Sequence, residues 1–260
     1  MNTQKAMDEL WETAPHTAAW FDARTVEALP LEAARFLMHV LAPGAPLSSA
    51  CHIRMHGTIR VDGEGGAWYP FEADQVVRWD RGFIWRARAR MKGLPVTGYD
   101  RLVDGEGEMR WKLLGLIPIV TAEGPEITRS AAGRFHGEAL WMPGVLLGEG
   151  VKFDIRDDHL AIDIDRDGEV SRLLVSIDTR GAPQSFHYPR WGDPDKHGFR
   201  YEEFGGLIDE ERTFHGVTVP SKLRLGWFMS DADERREPGP SRFTTAGEFI
   251  RIEIDDLTFR

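Results

Sequence analysis

The sequence predicts an α+β domain that is mainly β: an antiparallel sheet with a helical segment on its N-terminal side and one helix inserted among the strands. Three observations carry that prediction. From Cys51 onward, apolar and charged residues alternate with period two, in runs of strand length separated by Asp-Gly turns. Before Cys51, apolar residues recur at helical spacing. Between Gly124 and about Gly150 the period-two pattern lapses, and Pro125 opens a second stretch of helical spacing.

Taken in order, residues 4–41 read as helical, with Leu10, Trp11, Trp20 and Phe21 marking an apolar side in the first part. Pro30 suits a first helical turn, and Ala33, Phe36, Leu37, Val40 and Leu41 follow at helical spacing before Pro43-Gly44 stops the run. One face of that helix must be buried. From Cys51, residues Ile53, Met55, Ile59 and Val61 fall on one side of a strand, and His52, Arg54, His56, Thr58 and Arg60 on the other. Asp62-Gly63 predicts a hairpin turn into a strand that runs through Trp68-Tyr69-Pro70-Phe71 toward Trp79. Phe83, Trp85, Ala87, Ala89 and Met91 then alternate with Ile84, Arg86, Arg88 and Arg90. A strand over 96–103, turned by Asp104-Gly105, leads to Met109, Trp111 and Leu113 alternating with Glu108, Arg110 and Lys112. These are antiparallel hairpins with one apolar and one charged face.

From Pro125, the residues Ile127, Ala131, Arg134 or Phe135, and Glu138 fall on neighbouring helical positions until Pro143-Gly144, so a helix is expected over about 125–140. A helix inserted into a meander needs a face to lie against, and the concave face of the sheet is the expected one. Strands resume over 151–155, 160–164, 170–177, 185–188, 198–204 and 217–227, with a closing strand over 249–254. Residues 230–241, charged and containing Pro238-Gly239-Pro240, read as an exposed loop. The expected division is a helical segment over 1–45 and a single β domain over 46–260.

Composition narrows the function. A formal net charge of -10 argues against nucleic acid or an anionic membrane surface as the main partner, because both need a cationic face. The single cysteine, Cys51, excludes an internal disulfide and any multi-cysteine zinc site, and reads as a small buried residue. No run approaches the ~20 apolar residues of a membrane span, so a cytoplasmic location is expected. Nine tryptophans and fourteen phenylalanines fill a wide core or line a cavity for an apolar ligand. No motif names a reaction, calls for a cofactor or specifies an oligomeric state.

Several constellations reduce to plain structure. Asp163-Ile164-Asp165-Arg166-Asp167-Gly168 has the alternating carboxylates of a calcium loop, but its twelfth position is Leu174, and a hairpin tip at Asp167-Gly168 is the better reading. His52 and His56 share a strand side ~13 Å apart, too far for one metal. The glycine clusters 63–66 and 144–150 lack the context of a phosphate cradle. That leaves the dense stretch Arg134-Phe135-His136-Gly137-Glu138-Ala139-Leu140-Trp141-Met142-Pro143. Arg134 and Glu138, four apart on a helix, form either a surface ion pair or a pair facing an enclosed cavity. In the second case desolvation raises the Glu138 pKa, the arginine opposes the rise, and the carboxyl serves as acid, base or polar anchor.

Four segments carry a resemblance: Trp68-x-Pro70-Phe71, Gly82-Phe83-Ile84-Trp85-x-Ala87, Val103-Asp104-Gly105-Glu106-Gly107, and Arg134-Phe135-x-x-Glu138-x-x-Trp141-x-Pro143. Together they resemble an uncharacterised bacterial family, a domain of unknown function, from about Leu29 to the C-terminus. The resemblance implies a fold similar to the lipoprotein-carrier half-barrels, in which a strongly curved antiparallel sheet, a half-barrel or open barrel, wraps a helix around an apolar cavity. His136 stands where the family pattern implies an aliphatic residue. It lies ~200° around a straight helix from Glu138, so the two converge only if the helix ends between them; otherwise His136 takes a partner from a strand.

The expected function is binding of a small, largely apolar molecule between the sheet and the inserted helix. Trp85, Trp111 and Trp141 are the expected wall, Glu138 and Arg134 the polar anchors, and Tyr99 and Arg54 further ligand contacts. The second reading is a cofactor-independent isomerase, cyclase or hydrolase using Glu138 or His136, with Arg134, as its acid-base group, and with Arg54, Tyr99, His187 and Tyr188 as strand candidates for a second group.

Overall fold

The computed structural model describes residues 2–16, 18–63, 65–228 and 247–260. The loop expected over 230–241 lies outside the described residues. Helix α1 spans Thr3–Glu12 and α2 spans Leu31–Val40, with a short 3-10 turn at Ala23–Val26 between them. Six strands follow: β1 (Ala50–Ile59), β2 (Tyr69–Arg78), β3 (Gly82–Met91), β4 (Leu94–Val103), β5 (Glu106–Leu113) and β6 (Ile117–Glu123). Helix α3 (Pro125–Gly137) runs into 3-10 turns at Glu138–Trp141 and Pro143–Leu147. The chain then forms β7 (Val151–Arg156), β8 (His159–Arg166), β9 (Glu169–Ile177), β10 (Pro183–Gly192), β11 (Arg200–Phe214), β12 (Val217–Trp227) and β13 (Glu248–Phe259).

Among the described residues, all thirteen strands form one antiparallel sheet in the order β6-β5-β4-β3-β2-β1-β13-β12-β11-β10-β9-β8-β7. It is two meanders joined where β13 pairs with β1, from Cys51 opposite Phe259 to Ile59 opposite Ile250. The sheet is open, with β6 and β7 as its edges. At the Asp104-Gly105 and Asp167-Gly168 turns both residues have positive φ, the two-residue hairpin geometry that matches strand twist. Asp167-Gly168 is thus a hairpin tip.

Helix α3 touches β4, β5 and β6 on one side and β8, β9 and β10 on the other. From β5 to β10 is eight steps along the strand order. In a flat sheet, eight steps of ~4.8 Å would separate those strands by ~38 Å, against a helix ~10 Å across. The sheet therefore bends strongly between its two halves. The main core joins α2 and α3 to both halves through Phe36, Leu37, Phe83, Phe135, Ile162 and Ile254. A separate small cluster, Met7 and Leu10 against Val76 and Ile84, seats α1 on the opposite face.

Three local expectations change. Asp62-Gly63 is not a tight hairpin turn: β1 ends at Ile59 and β2 begins at Tyr69. The longer connection lets Trp68 pack its ring against the guanidinium groups of Arg60 and Arg251, at 5.0 and 4.3 Å. Strand β6, which the sequence reading passes over, is exposed along nearly its whole length, so neither of its faces carries the alternation of a half-buried strand. The α-helix ends at Gly137 rather than near 140, because the chain tightens into a 3-10 turn, with the Met142 N–H donating to the Ala139 carbonyl at 3.1 Å, before Pro143.

Candidate functional site

A cavity of about 560 Å³ opens between the sheet and α3. That volume lies within the range of small-molecule pockets. Its walls are apolar and come from both halves of the sheet: Met55 and Phe71, then Trp85, Ala87 and Ala89 of β3, Met109 and Trp111 of β5, and Phe204, Leu225, Trp227 and Ile252 from the other half. Strand alternation explains the selection, since the charged partners Arg86, Arg88 and Arg110 of β3 and β5 point to the other face. The 3-10 turn after α3 contributes Leu140 and Trp141, whose indole N–H donates to the Pro220 carbonyl at 3.0 Å.

One part of the lining is polar. Arg134 reaches from α3 between two carboxyls, with Nη1 3.1 Å from Asp100 Oδ2 and Nε 3.3 Å from Glu138 Oε1. Its Nη2 donates to Gln75 Oε1 at 3.3 Å, and Gln75 Nε2 donates to Glu138 Oε2 at 2.6 Å. The Trp111 indole donates to Asp100 Oδ1 at 2.9 Å. The Arg134 guanidinium also lies over the Phe83 and Trp85 rings, at 4.7 and 5.2 Å. Burial raises the pKa of Glu138 above the ordinary carboxylate value against the opposing pull of Arg134 and Gln75. Burial likewise raises Asp100, opposed by Arg134 and Trp111. Tyr188 donates to the Gly133 carbonyl at 3.1 Å and is pushed up to about 12 by burial. Arg190, two residues along β10, shares that face, and burial pulls it down to about 10.

Glycines in α3 make this arrangement possible. A Cβ at Gly133 would meet Arg190 Cγ at 3.2 Å, and one at Gly137 would meet the Tyr188 hydroxyl at 3.0 Å. With glycine at both positions the helix sits this close to β10 without displacing either side chain.

Of the residues singled out in the sequence, Arg134, Glu138, Trp85, Trp111, Trp141 and Tyr188 line this cavity. His136, Tyr99, Arg54 and His187 do not. His136 is fully buried on another side of α3, bonded through Nδ1 to Ser171 Oγ at 2.7 Å and through Nε2 to the Arg166 carbonyl at 3.3 Å. Burial pulls its pKa down to about 4. The 3-10 turn after Gly137 keeps helical torsions, so His136 and Glu138 never converge, and a strand supplies the histidine's partner. Tyr99 and Arg54 line a charged groove on the opposite face of β1–β5, where Arg54 pairs with Asp256 at 3.1 Å. Each sits one residue from a cavity residue, Asp100 and Met55, so strand alternation sends it the other way. His187 bonds Glu203 at 3.0 Å for the same reason, beside the inward Tyr188.

Gln75, Asp100, Ser130, Arg190 and Asp193 also line the cavity and were not singled out in the sequence. For two of them the signal was present: Gln75 continues the inward series of Phe71 and Ala73, and Arg190 that of Phe186 and Tyr188. A polar residue in an apolar register is the mark of a group that needs a buried partner. Cys51 is fully buried, and burial together with the Glu138 carboxylate pushes its thiol well above the usual range. Among the described residues, no group of three or more His, Cys, Asp or Glu side chains is placed to hold a metal ion. None of the described helices is long and apolar enough to cross a membrane.

Residues 19–235, covering all the polar lining and strands β1 to β12, match a family of unknown function, DUF6544. The chain belongs to this family. The match begins before Leu29 and stops short of the C-terminus, so β13 falls outside it. No curated protein matches the sequence. Among solved structures, the DUF6544 chain is similar to a LolA-superfamily protein from Nitrosomonas europaea, with 10% identity, 88% of this chain and 92% of that one covered, and a TM-score of 0.44. It is also similar to a putative outer membrane lipoprotein-sorting protein domain from Vibrio parahaemolyticus, with 8% identity, 82% and 86% coverage and a TM-score of 0.40. A DUF1329 family protein from Desulfovibrio piger gives 10% identity, 82% and 86% coverage and a TM-score of 0.37.

Proposed function

We propose that this DUF6544 protein binds a small, largely apolar molecule in the cavity, with α3 seated in the concavity of the sheet and the Arg134 cluster as its polar end. The observation that carries the reading is the composition of the lining: a wide apolar wall drawn from both halves of the sheet, with its polar side chains gathered on one side. A void merely left by imperfect packing has no reason to collect two arginines and three carboxyls. The test is binding of N-phenyl-1-naphthylamine, an uncharged apolar fluorophore, followed by its emission and by quenching of tryptophan fluorescence. Binding at one site is expected, weakened about tenfold or more by Ala87→Phe, which fills the cavity from β3. An absence of binding, or unchanged binding in the filled variant, defeats the reading.

One observation favours a second reading, a cofactor-independent acid-base enzyme: Glu138 and Asp100 both have carboxyl pKa values raised by burial at the cavity. Mass spectrometry of the molecule that travels with the purified protein separates the two. A carrier returns its cargo unchanged after long incubation. An enzyme yields a product of different mass or isomeric form, and Glu138→Gln abolishes its formation.

A further inference from the structure

The polar lining of the cavity is almost closed on itself. Both oxygens of Glu138 accept hydrogen bonds, from Arg134 and Gln75; both oxygens of Asp100 do so, from Trp111 and Arg134; and the Gln75 amide uses both its ends. Tyr188 spends its hydroxyl proton on the Gly133 carbonyl. Asp193, a third acid on the lining, accepts from the Gly198 N–H at 3.0 Å.

Arg190 is the exception. Its Nε makes a long bond of 3.4 Å to the Ser130 carbonyl, and its Nη atoms make no hydrogen bond or ion pair with any described residue. Its guanidinium lies over the rings of Phe204 and Trp227, at 4.8 and 5.0 Å. Those ring contacts give its N–H donors no hydrogen-bond acceptor. Burial lowers its pKa to about 10, a direction opposite to that of Arg200, raised by its close carboxylate partners. The group still carries its charge at neutral pH. A half-buried cation with unspent donors beside an apolar cavity favours an anionic acceptor, and the oxygens of Asp100 and Glu138 already accept from other donors.

We propose that Arg190 is the head-group site of the cavity, and that the molecule bound there is an amphipathic monoanion: one carboxylate on an apolar body. This rests on the cavity being a binding site, as proposed above, and adds the chemistry of its occupant. The planar fork of a guanidinium matches a carboxylate in a bidentate pair. A phosphate dianion fits less well, because Asp100, Glu138 and Asp193 all line the same space and repel a second negative charge.

The experiment displaces N-phenyl-1-naphthylamine with four ligands sharing one twelve-carbon chain: dodecanoate, dodecanol, dodecylamine and dodecyl phosphate, each below its aggregation limit at pH 8. Dodecanoate should bind about tenfold or more tighter than dodecanol, the worth of a charge-assisted hydrogen bond, and tighter than the other two. Arg190→Met should erase the advantage of dodecanoate while leaving dodecanol within about twofold, and Arg190→Lys should keep part of it. If Arg190→Met does not fold, the head-group series on the native protein decides alone. Equal affinity for dodecanoate and dodecanol overturns the proposal while leaving the cavity reading intact, as does preference for the amine or the phosphate. Failure of the neutral fluorophore itself to bind removes the cavity reading and this proposal with it.

Discussion

At the scale of single residues, the Arg134 cluster is a problem in donor and acceptor accounting. Arg134, Glu138 and Gln75 form a closed ring of three hydrogen bonds, in which each orientation is fixed by the other two. Replacing Glu138 with Gln puts an amide nitrogen where a carboxylate oxygen stood. Whichever way the two amides are turned, one donor then faces another donor, at Gln75 or at Arg134. Glu138 and Gln75 are both almost fully buried, so water does not relieve the conflict. Glu138→Gln is expected to lower unfolding stability by about 1–3 kcal/mol in a urea titration. The exchanged pair, Gln75→Glu with Glu138→Gln, restores every bond and the charge, and is expected to recover most of that loss. A double variant no more stable than the sum of its two single variants refutes the ring. The i,i+4 spacing of Arg134 and Glu138 was legible in the sequence, and so was the choice between a surface pair and a cavity pair. Asp100 and Gln75, the groups that decide it, come from strands 34 and 59 residues away from Arg134, and no local spacing announces them.

At the scale of elements, α3 is held against the β4–β5 hairpin by a close approach that only glycine allows. A Cβ on Gly107 would lie 2.5 Å from the Thr128 Cα and 2.8 Å from its backbone nitrogen, and the Gly107 N–H donates to Thr128 Oγ1 at 2.9 Å. The obstacle is backbone, so nothing flexible can yield. Gly107→Ala is expected to push the first turns of α3 away from β5, costing about 1–3 kcal/mol of stability. Amide hydrogen exchange should rise most in α3, since the helix and not the hairpin has to move. Exchange raised only in β4 and β5 would place the strain elsewhere. The segment Val103-Asp104-Gly105-Glu106-Gly107 thereby divides into two roles. Asp104-Gly105 is the turn, readable from composition, while Gly107 is a contact with a helix that begins 18 residues later, which composition does not reveal. The strands with one apolar and one charged face were legible for the same reason that Asp104-Gly105 was: their pattern is local. Strand β6 was not, because at an exposed edge hydrogen bonds to β5, rather than burial of a face, define it.

At the scale of the whole molecule, the two meanders are joined by the β1–β13 pairing and by α3, and the cavity lies among the same parts. Bending on this scale is not written in any one strand. Each hairpin's alternation is compatible with a flat sheet, and the curvature becomes visible only from a helix that touches strands eight places apart. An occupant that contacts both halves adds apolar contacts across the bend, and it binds the folded chain but not the unfolded one. Its effect on stability follows from mass action: at a free concentration of a hundred dissociation constants, it adds about 2.7 kcal/mol. For a chain of this size that corresponds to a rise in melting temperature of about 5–10 °C. Dodecanoate is expected to produce that rise in the native protein, and to produce little of it in Ala87→Phe, where β3 fills the space. Because an occupant of the cavity would contact both meanders, the rise should appear as a shift of one cooperative transition, seen alike by far-ultraviolet circular dichroism and by tryptophan fluorescence. A ligand that instead splits the melt into two steps acts on one half of the sheet alone, and the cavity is then not the joint that its lining describes.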